Sequence, residues 1–196
     1  MSKILTMTLY KTLIVLFAIC FTCTTTCVAQ DATSLLPAIE RQFTKIESDI
    51  LSTAAAMPEA QFNFSPENLQ IKNSNLKGVR TFAGQIMHLA TDNILIWSAI
   101  TGDSVRADIA DVNGPKDVKT KKDVINYLKD SFAIGRKAIA TLTSQNAMDM
   151  IAFRWRKLPR LDLAFYALTH SNEHYGQMVI YLRMCGFVPP PTVSEK

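Results

Sequence analysis

The sequence contains few cysteines and few histidines, and both shortages limit the chemistry that it can support. Three of the four cysteines lie within the first 27 residues, and only Cys185 lies beyond them. A single thiol cannot form an intrachain disulfide, so the rest of the chain must be stabilised by packing. The three histidines are His88, His170 and His174. Any site that requires imidazole therefore uses these three residues.

A strong net charge and the common catalytic motifs are also missing. The formal net charge is +4, which gives no case for nucleic-acid binding. The sequence has no G-x-S-x-G motif, no phosphate-binding loop and no dinucleotide fingerprint. Cys185 lies on the core-facing arc of a predicted helix, which favours an inert thiol over a nucleophile. Nucleophilic hydrolysis and nucleotide chemistry are therefore disfavoured.

The N-terminal segment contains one apolar run. The stretch "LIVLFAICF" follows Lys3 and Lys11 and precedes the small residues of "CVAQ". This is the layout of a secretory signal peptide, and the run is shorter than the roughly 20 apolar residues that span a bilayer. We predict a signal peptide over residues 1–29, cleaved after Ala29, and an exported domain over residues 30–196, periplasmic or secreted. Retention of the segment as an anchor is the alternative.

Four stretches have the periodicity of amphipathic helices. Apolar residues recur at helical spacing from Ser34 to Met57, from Phe82 to Thr101, from Thr120 to the polar "TSQN", and from Arg160 to Cys185. Two long loops connect the first three helices, and no strand-like alternation of any length and no internal repeat occur. We predict an all-α fold, an antiparallel four-helix bundle that follows a cleaved signal peptide.

The motif "HSNEH" places two histidines on one face of the last helix. Residues four apart have Cβ atoms about 5–6 Å apart, so His170 and His174 can bind one metal ion. His88 lies at the edge of the core face of the second helix and can supply a third ligand. Three histidines leave a position open for water or substrate, as in catalytic zinc sites. The alternative is three ordinary histidines bonded to their neighbours, because the i, i+4 pattern alone is common.

Three further polar residues lie close to the predicted ligands. Asp92 is one turn from His88, and Gln177 shares a face with His174. Either residue could orient a histidine ring by accepting a hydrogen bond from it. Tyr181 continues the same row of the last helix and could hydrogen-bond to a metal-bound group.

The same motif also fits the H-x-x-E-H pattern of inverted zinc peptidases, with Glu173 as the acid. Those enzymes resemble one another in having a further carboxylate ligand well downstream. Here the remaining acid is Glu195, in the tail beyond the prolines. We therefore reject the peptidase interpretation.

Several segments resemble the DinB family, also described as DinB/YfiT-like metalloenzymes. The segment "FSPENLQIKNSNLKGVRTFAGQIMHLATDN" is similar to the family's loop, its entry to the second helix and its first histidine, here His88. The segment "HSNEHYGQMVIYLRMCGFVPPP" is similar to the family's last helix, with His170 and His174 followed by Gly-Gln, an Arg, a Gly and prolines. The four-helix layout agrees across nearly the whole of residues 30–196.

This resemblance implies a bundle in which His88, His170 and His174 hold a divalent metal beside a pocket. Zinc and nickel both suit imidazole ligands, and the sequence does not choose between them. Some relatives transfer or isomerise small substrates with low-molecular-weight thiols, and many have no assigned reaction. An exported member departs from that pattern, because cytosolic thiols are scarce outside the cell.

Two functions follow as expectations. The first is a metal-dependent hydrolase or transferase acting on a small-molecule substrate. The alternative is a metal or small-molecule binding protein without turnover. A homodimer is compatible with both, whereas nucleic acid, and a membrane after signal cleavage, are not expected partners.

Overall fold

The structure is a computed structural model that describes residues 35–106, 109 and 112–190 of the chain. The predicted signal peptide lies outside the described residues. Four helices carry the fold: α1 (Leu35–Ala56), α2 (Phe82–Thr101), α3 (Lys121–Thr141) and α4 (Arg160–Met184). Within those ranges, no helix combines the length and apolar character needed to cross a membrane. The predicted helical class and the four predicted helices are confirmed.

Local capping fixes where α2 and α3 begin. The Thr81 hydroxyl accepts the N–H of Gly84 at the start of α2. Thr120 and Asp123 form a capping box at the start of α3. Such caps satisfy amides that have no partner within the helix. Because α2 begins at a fixed residue, the direction in which each of its side chains points is fixed as well.

Two pairs of helices are antiparallel. Lys121, at the start of α3, donates to the carbonyls of Ala55 and Met57 at the end of α1. Arg160, at the start of α4, donates to the carbonyl of Ile100 near the end of α2. In each pair the start of one helix therefore meets the end of the other.

The consecutive helices α2 and α3 run parallel, which corrects the prediction of a wholly antiparallel bundle. Thr91 contacts Tyr127, and further along both helices Trp97 packs against Gly135. If α2 and α3 are parallel, the connection between them must run from the end of α2 back to the level of its start, where α3 begins. The 20-residue α2 is about 30 Å long, and the long connection that follows it can span that length.

A β-hairpin precedes α4, in a stretch where the sequence has no strand-like alternation of any length. Strand β1 (Met150–Phe153) pairs antiparallel with β2 (Arg156–Pro159). Four-residue strands are too short to show a clear alternation in the sequence. The turn between them holds Arg154 at φ 53°, a left-handed conformation that favours glycine. Trp155 is the other turn residue, and its exposed fraction is 78%.

An aromatic group occupies the centre of the core. Phe43 packs edge-on against Trp97 and Phe132, with ring centroids 5.4 and 5.6 Å away. Such pairs contribute about 0.5–1.5 kcal/mol beyond their buried area. Gly135 allows this approach, because a Cβ there would lie 2.6 Å from the Phe43 ring. This packing is more than two helical turns along α2 from His88 and does not involve the three histidines.

Candidate metal centre

The three histidines meet between α2 and α4. The ligand nitrogens of His88, His170 and His174 all lie within 4.8 Å of one another. The Nε2 atoms of His170 and His174 are 3.1 Å apart. Two nitrogens bound to one ion at about 2.0–2.1 Å would lie about 3 Å apart, so this spacing fits a shared metal ion. The predicted convergence of the three histidines is confirmed.

Hydrogen bonds at the opposite ring nitrogens direct Nε2 towards the centre of the cluster. Nδ1 of His88 lies 2.9 Å from the carbonyl oxygen of Val112, and Nδ1 of His174 lies 2.8 Å from Oε1 of Gln85. Both partners only accept, so each Nδ1 carries the proton and each Nε2 keeps its lone pair. Histidines that bind metals usually donate their other N–H in this way. The third ring, His170, has a buried Nδ1 without a hydrogen-bond partner in the described part of the chain.

Gln85 is held in its orientation by Tyr181. Nε2 of Gln85 donates to the Tyr181 hydroxyl over 3.5 Å, and that hydroxyl donates to the carbonyl of Arg80 over 3.0 Å. Because the amide nitrogen faces the hydroxyl, the amide oxygen faces His174. Tyr181 therefore reaches the histidines through Gln85. Gln85 was not among the residues predicted from the sequence, although a glutamine on an apolar face one turn before His88 was the available signal.

Two other residues singled out from the sequence occupy different positions. Gln177 is half-buried and makes no hydrogen bond to any of the three histidines, whose partners lie elsewhere. Asp92 is buried and accepts a hydrogen bond from Arg154 at 2.9 Å. Its second oxygen is 3.6 Å from Nε2 of His170, too far for a hydrogen bond. Asp92 thus places negative charge beside the cluster and anchors the turn of the hairpin.

Burial keeps two of the histidines neutral. The pKa of His174 is lowered to about 3, mainly by burial and in smaller part by the neighbouring charges of His170, His88 and Arg80. Burial also lowers the pKa of His170, although the nearby Asp92 carboxylate acts in the opposite direction. Neutral imidazole is the form that binds metal ions. Both rings can therefore bind a metal at neutral pH without first losing a proton.

A cleft beside the histidines lies between the hairpin and α4. Its volume is about 270 Å³, and it is lined by Phe153, Arg154, Trp155, Arg156, Leu158, Asp162 and Tyr166. Arg154 is the residue that binds Asp92, and the ring centroid of Tyr166 lies 5.8 Å from that of His170. The cleft therefore adjoins the histidine cluster through two of its walls, and it is large enough for a small molecule.

Comparison with known proteins assigns this arrangement to a family. The family model described as the DinB superfamily matches residues 42–178, a range that holds all three histidines. The chain belongs to the DinB superfamily. A DinB-like protein of Bacillus cereus ATCC 10987 superposes with a TM-score of 0.59 at 14% identity, covering 78% of this chain and 94% of that one.

Two further solved structures have a fold similar to that of this chain. A DinB-like protein of Bacillus subtilis has a TM-score of 0.57 at 18% identity, covering 79% of this chain and 96% of that one. A conserved protein of Enterococcus faecalis has a TM-score of 0.54 at 18% identity, covering 80% and 98%. No curated protein matches the chain. At these identities the similarity shows the fold alone.

Proposed function

We propose that this member of the DinB superfamily binds one divalent metal ion and uses it to act on a small molecule. The ligands are Nε2 of His88, His170 and His174. The observation that carries the proposal is the orientation of the rings, with the Nε2 atoms of His170 and His174 3.1 Å apart and two Nδ1 atoms bonded to oxygen acceptors. Imidazole suits both zinc and nickel, and we propose one of these as the resident ion.

The small number of ligands favours catalysis over storage. Among the described residues, the cluster of potential ligands has three members and no fourth histidine, cysteine or carboxylate. Three protein ligands leave a position open, as catalytic zinc sites do. A divalent ion bound there would supply Lewis acidity for hydrolysis or group transfer. The adjoining cleft provides space for the substrate.

The protein's own residues position the reacting groups. Gln85 and the Val112 carbonyl hold two rings so that their lone pairs face inwards. The Arg154–Asp92 ion pair fastens the hairpin, and with it one wall of the cleft, to α2. The substrate would therefore meet a rigid wall and a fixed set of ligands, which is what efficient positioning requires. Export to the periplasm or the medium is part of the same proposal.

Metal analysis of the purified protein tests the proposal. The protein is saturated with zinc or nickel, dialysed and analysed by inductively coupled plasma mass spectrometry. We expect about one metal per chain in the wild type, because three imidazoles form a single site. His170→Ala should lose this stoichiometric metal. Glu173→Gln serves as the matched control, because Glu173 lies between the two histidines in sequence but is exposed. Equal metal content in His170→Ala and the wild type would overturn the proposal.

The alternative, a binding protein without turnover, makes a different prediction for the open position. The neutral ligand 1-methylimidazole should change the visible spectrum of the cobalt(II)-loaded protein if that position is accessible. A spectrum that does not respond would favour the binding protein.

A further inference from the structure

Arg80 lies beside the candidate metal centre and forms no ion pair with an acid among the described residues. Its Nη2 is 3.5 Å from Nδ1 of His88, and its Nε is buried without a hydrogen-bond partner in the part of the chain that the structure describes. The contact with His88 does not satisfy the guanidinium. Nδ1 of His88 already donates to Val112 and cannot accept at the same time.

Three other arginines in the described ranges have the partner that Arg80 lacks, whereas Arg41, Arg156 and Arg183, which form no ion pair with a described carboxylate, are exposed to solvent. The pairs are Arg136 with Glu47, Arg154 with Asp92 and Arg160 with Asp149. Arg80 is half-buried, and no described carboxylate forms an ion pair with it. Burying a charge without a partner is unfavourable, because the lost hydration is not replaced. Such a group is compensated when an anion binds to it.

The position of Arg80 in the chain is fixed on both sides. Its carbonyl accepts the hydrogen bond from Tyr181, and the next residue, Thr81, caps α2. The side chain thus starts from a rigid point next to the histidines, whereas an arginine on a loose surface loop would not. The backbone end of this side chain is therefore held in place, which limits the region that the guanidinium can reach.

The charge of the occupied site points to the same ligand. Three neutral imidazoles around a divalent ion leave its charge unbalanced, and Arg80 adds another positive charge. Asp92, a buried carboxylate beside the cluster, is already bonded to Arg154. A site of this charge attracts anions and excludes cations. Guanidinium groups bind carboxylate and phosphate through paired hydrogen bonds.

We infer that Arg80 binds an oxyanion group of the substrate, a carboxylate or a phosphate, on the Nδ1 side of His88. This inference rests on the proposed metal site. Arg80 would act as a specificity residue that selects anionic small molecules over neutral and cationic ones of the same size.

The test uses cobalt(II)-loaded protein, because bound ligands change its visible absorption. Benzoate, inorganic phosphate and neutral 1-methylimidazole are titrated into the wild type, Arg80→Gln, Arg80→Lys and Arg41→Gln. Arg41 is an exposed arginine on α1, so it controls for the loss of one positive charge. Circular dichroism confirms that each variant is folded.

We expect Arg80→Gln to bind one or both anions at least about tenfold more weakly than the wild type, the scale of a lost charged hydrogen bond. Arg80→Lys should retain part of the affinity, and Arg41→Gln all of it. Binding of 1-methylimidazole should be the same in every variant. The anion whose affinity falls in Arg80→Gln identifies the group that Arg80 binds, a carboxylate for benzoate or a phosphate for inorganic phosphate.

Two outcomes overturn the inference, and they differ. If cobalt binds normally and the anion affinities of Arg80→Gln equal those of the wild type, Arg80 has no role in anion binding and the proposed metal site stands. If the wild type does not bind cobalt, both the proposed metal site and the inference about Arg80 are wrong.

Discussion

Gln85 accepts a hydrogen bond from His174 across the interface between α2 and α4, with 2.8 Å between Oε1 and Nδ1. Gln85→Leu removes this acceptor while keeping a side chain of similar size. The His174 ring then loses the bond that fixes its tautomer, so metal affinity should fall about 10–100-fold. Competition with a chromophoric chelator measures the change.

Gln177→Leu is the matched control for this prediction. Gln177 makes no hydrogen bond to the histidines, so metal affinity should stay at the wild-type value. Equal losses in the two variants would contradict the role assigned to Gln85.

His174→Ala should abolish stoichiometric metal binding without unfolding the chain. Each helix buries several apolar side chains, worth roughly 1.5–3 kcal/mol apiece, and none of that burial depends on the ion. Thermal melting followed by circular dichroism, with and without EDTA, measures this. EDTA should lower the midpoint of the metal-loaded wild type, because a bound ligand stabilises the folded state, and should not change that of the variant. Loss of the helical signal in the variant at room temperature would make the metal structural.

Arg154→Gln should destabilise the protein by about 1–3 kcal/mol, because it leaves a buried carboxylate without its charged partner. The Asp92 side chain is 3% exposed and the Arg154 side chain 33%, so solvent weakens only one side of the pair. Urea unfolding measures the loss. Arg156→Gln changes an exposed arginine of the same hairpin and should stay within about 0.5 kcal/mol of the wild type. A similar loss in both variants would mean that the hairpin charge, and not the pair with Asp92, matters.

Two glycines should respond to alanine in opposite directions. Gly135→Ala places a Cβ 2.6 Å from the Phe43 ring and 2.9 Å from Nε1 of Trp97, so overpacking should cost about 1–3 kcal/mol. Gly176→Ala meets no atom within 4 Å and lies inside α4, so the gain in helix propensity should stabilise by about 0.5–1 kcal/mol. Urea midpoints that shift in the same direction would contradict the packing described for α3.

Metal-free protein should lose stability in acid between pH 6.5 and about pH 3. The pKa of His174 is lowered from 6.5 to about 3 in the folded state, so in that window the unfolded chain binds a proton that the folded chain does not. The free energy of unfolding therefore falls as the pH falls through this window and is unaffected by this group above it. Urea midpoints of EDTA-treated wild type and His174→Ala, measured across the window, test this. The variant should show a shallower decline, and equal declines would contradict the prediction.

The sequence predicts best those features that depend on neighbouring residues. Thr81 caps the start of α2 and Gly102 its end, and both residue types are usual at these positions. The pair His170 and His174 lies on one helical face, as periodicity requires. His88 could be predicted as the third ligand because it lies at the edge of the apolar face that α2 buries. These features need only local geometry and the burial of apolar surface.

Features that depend on how helices pack are harder to predict. Gln85 and Gln177 are each one turn from a ligand histidine, and only the register between α2 and α4 decides that Gln85 makes the hydrogen bond. The parallel course of α2 and α3 depends on the route of the loop, which leaves no periodic signal. The turn of the hairpin has Arg154 at the position where glycine or asparagine usually marks such a turn. Arg154 is held in this conformation by its bond to Asp92, a contact between distant residues that the local sequence does not indicate.

The two tryptophans report on separate parts of the molecule. Trp97 is fully buried in the core, whereas Trp155 is 78% exposed at the tip of the hairpin. Their fluorescence should therefore consist of a blue-shifted component that iodide cannot reach and a red-shifted component that iodide quenches. A compound that enters the cleft would protect the second component and leave the first unchanged. The protein thus carries a built-in optical probe of cleft occupancy, which allows a compound library to be screened before any reaction is known.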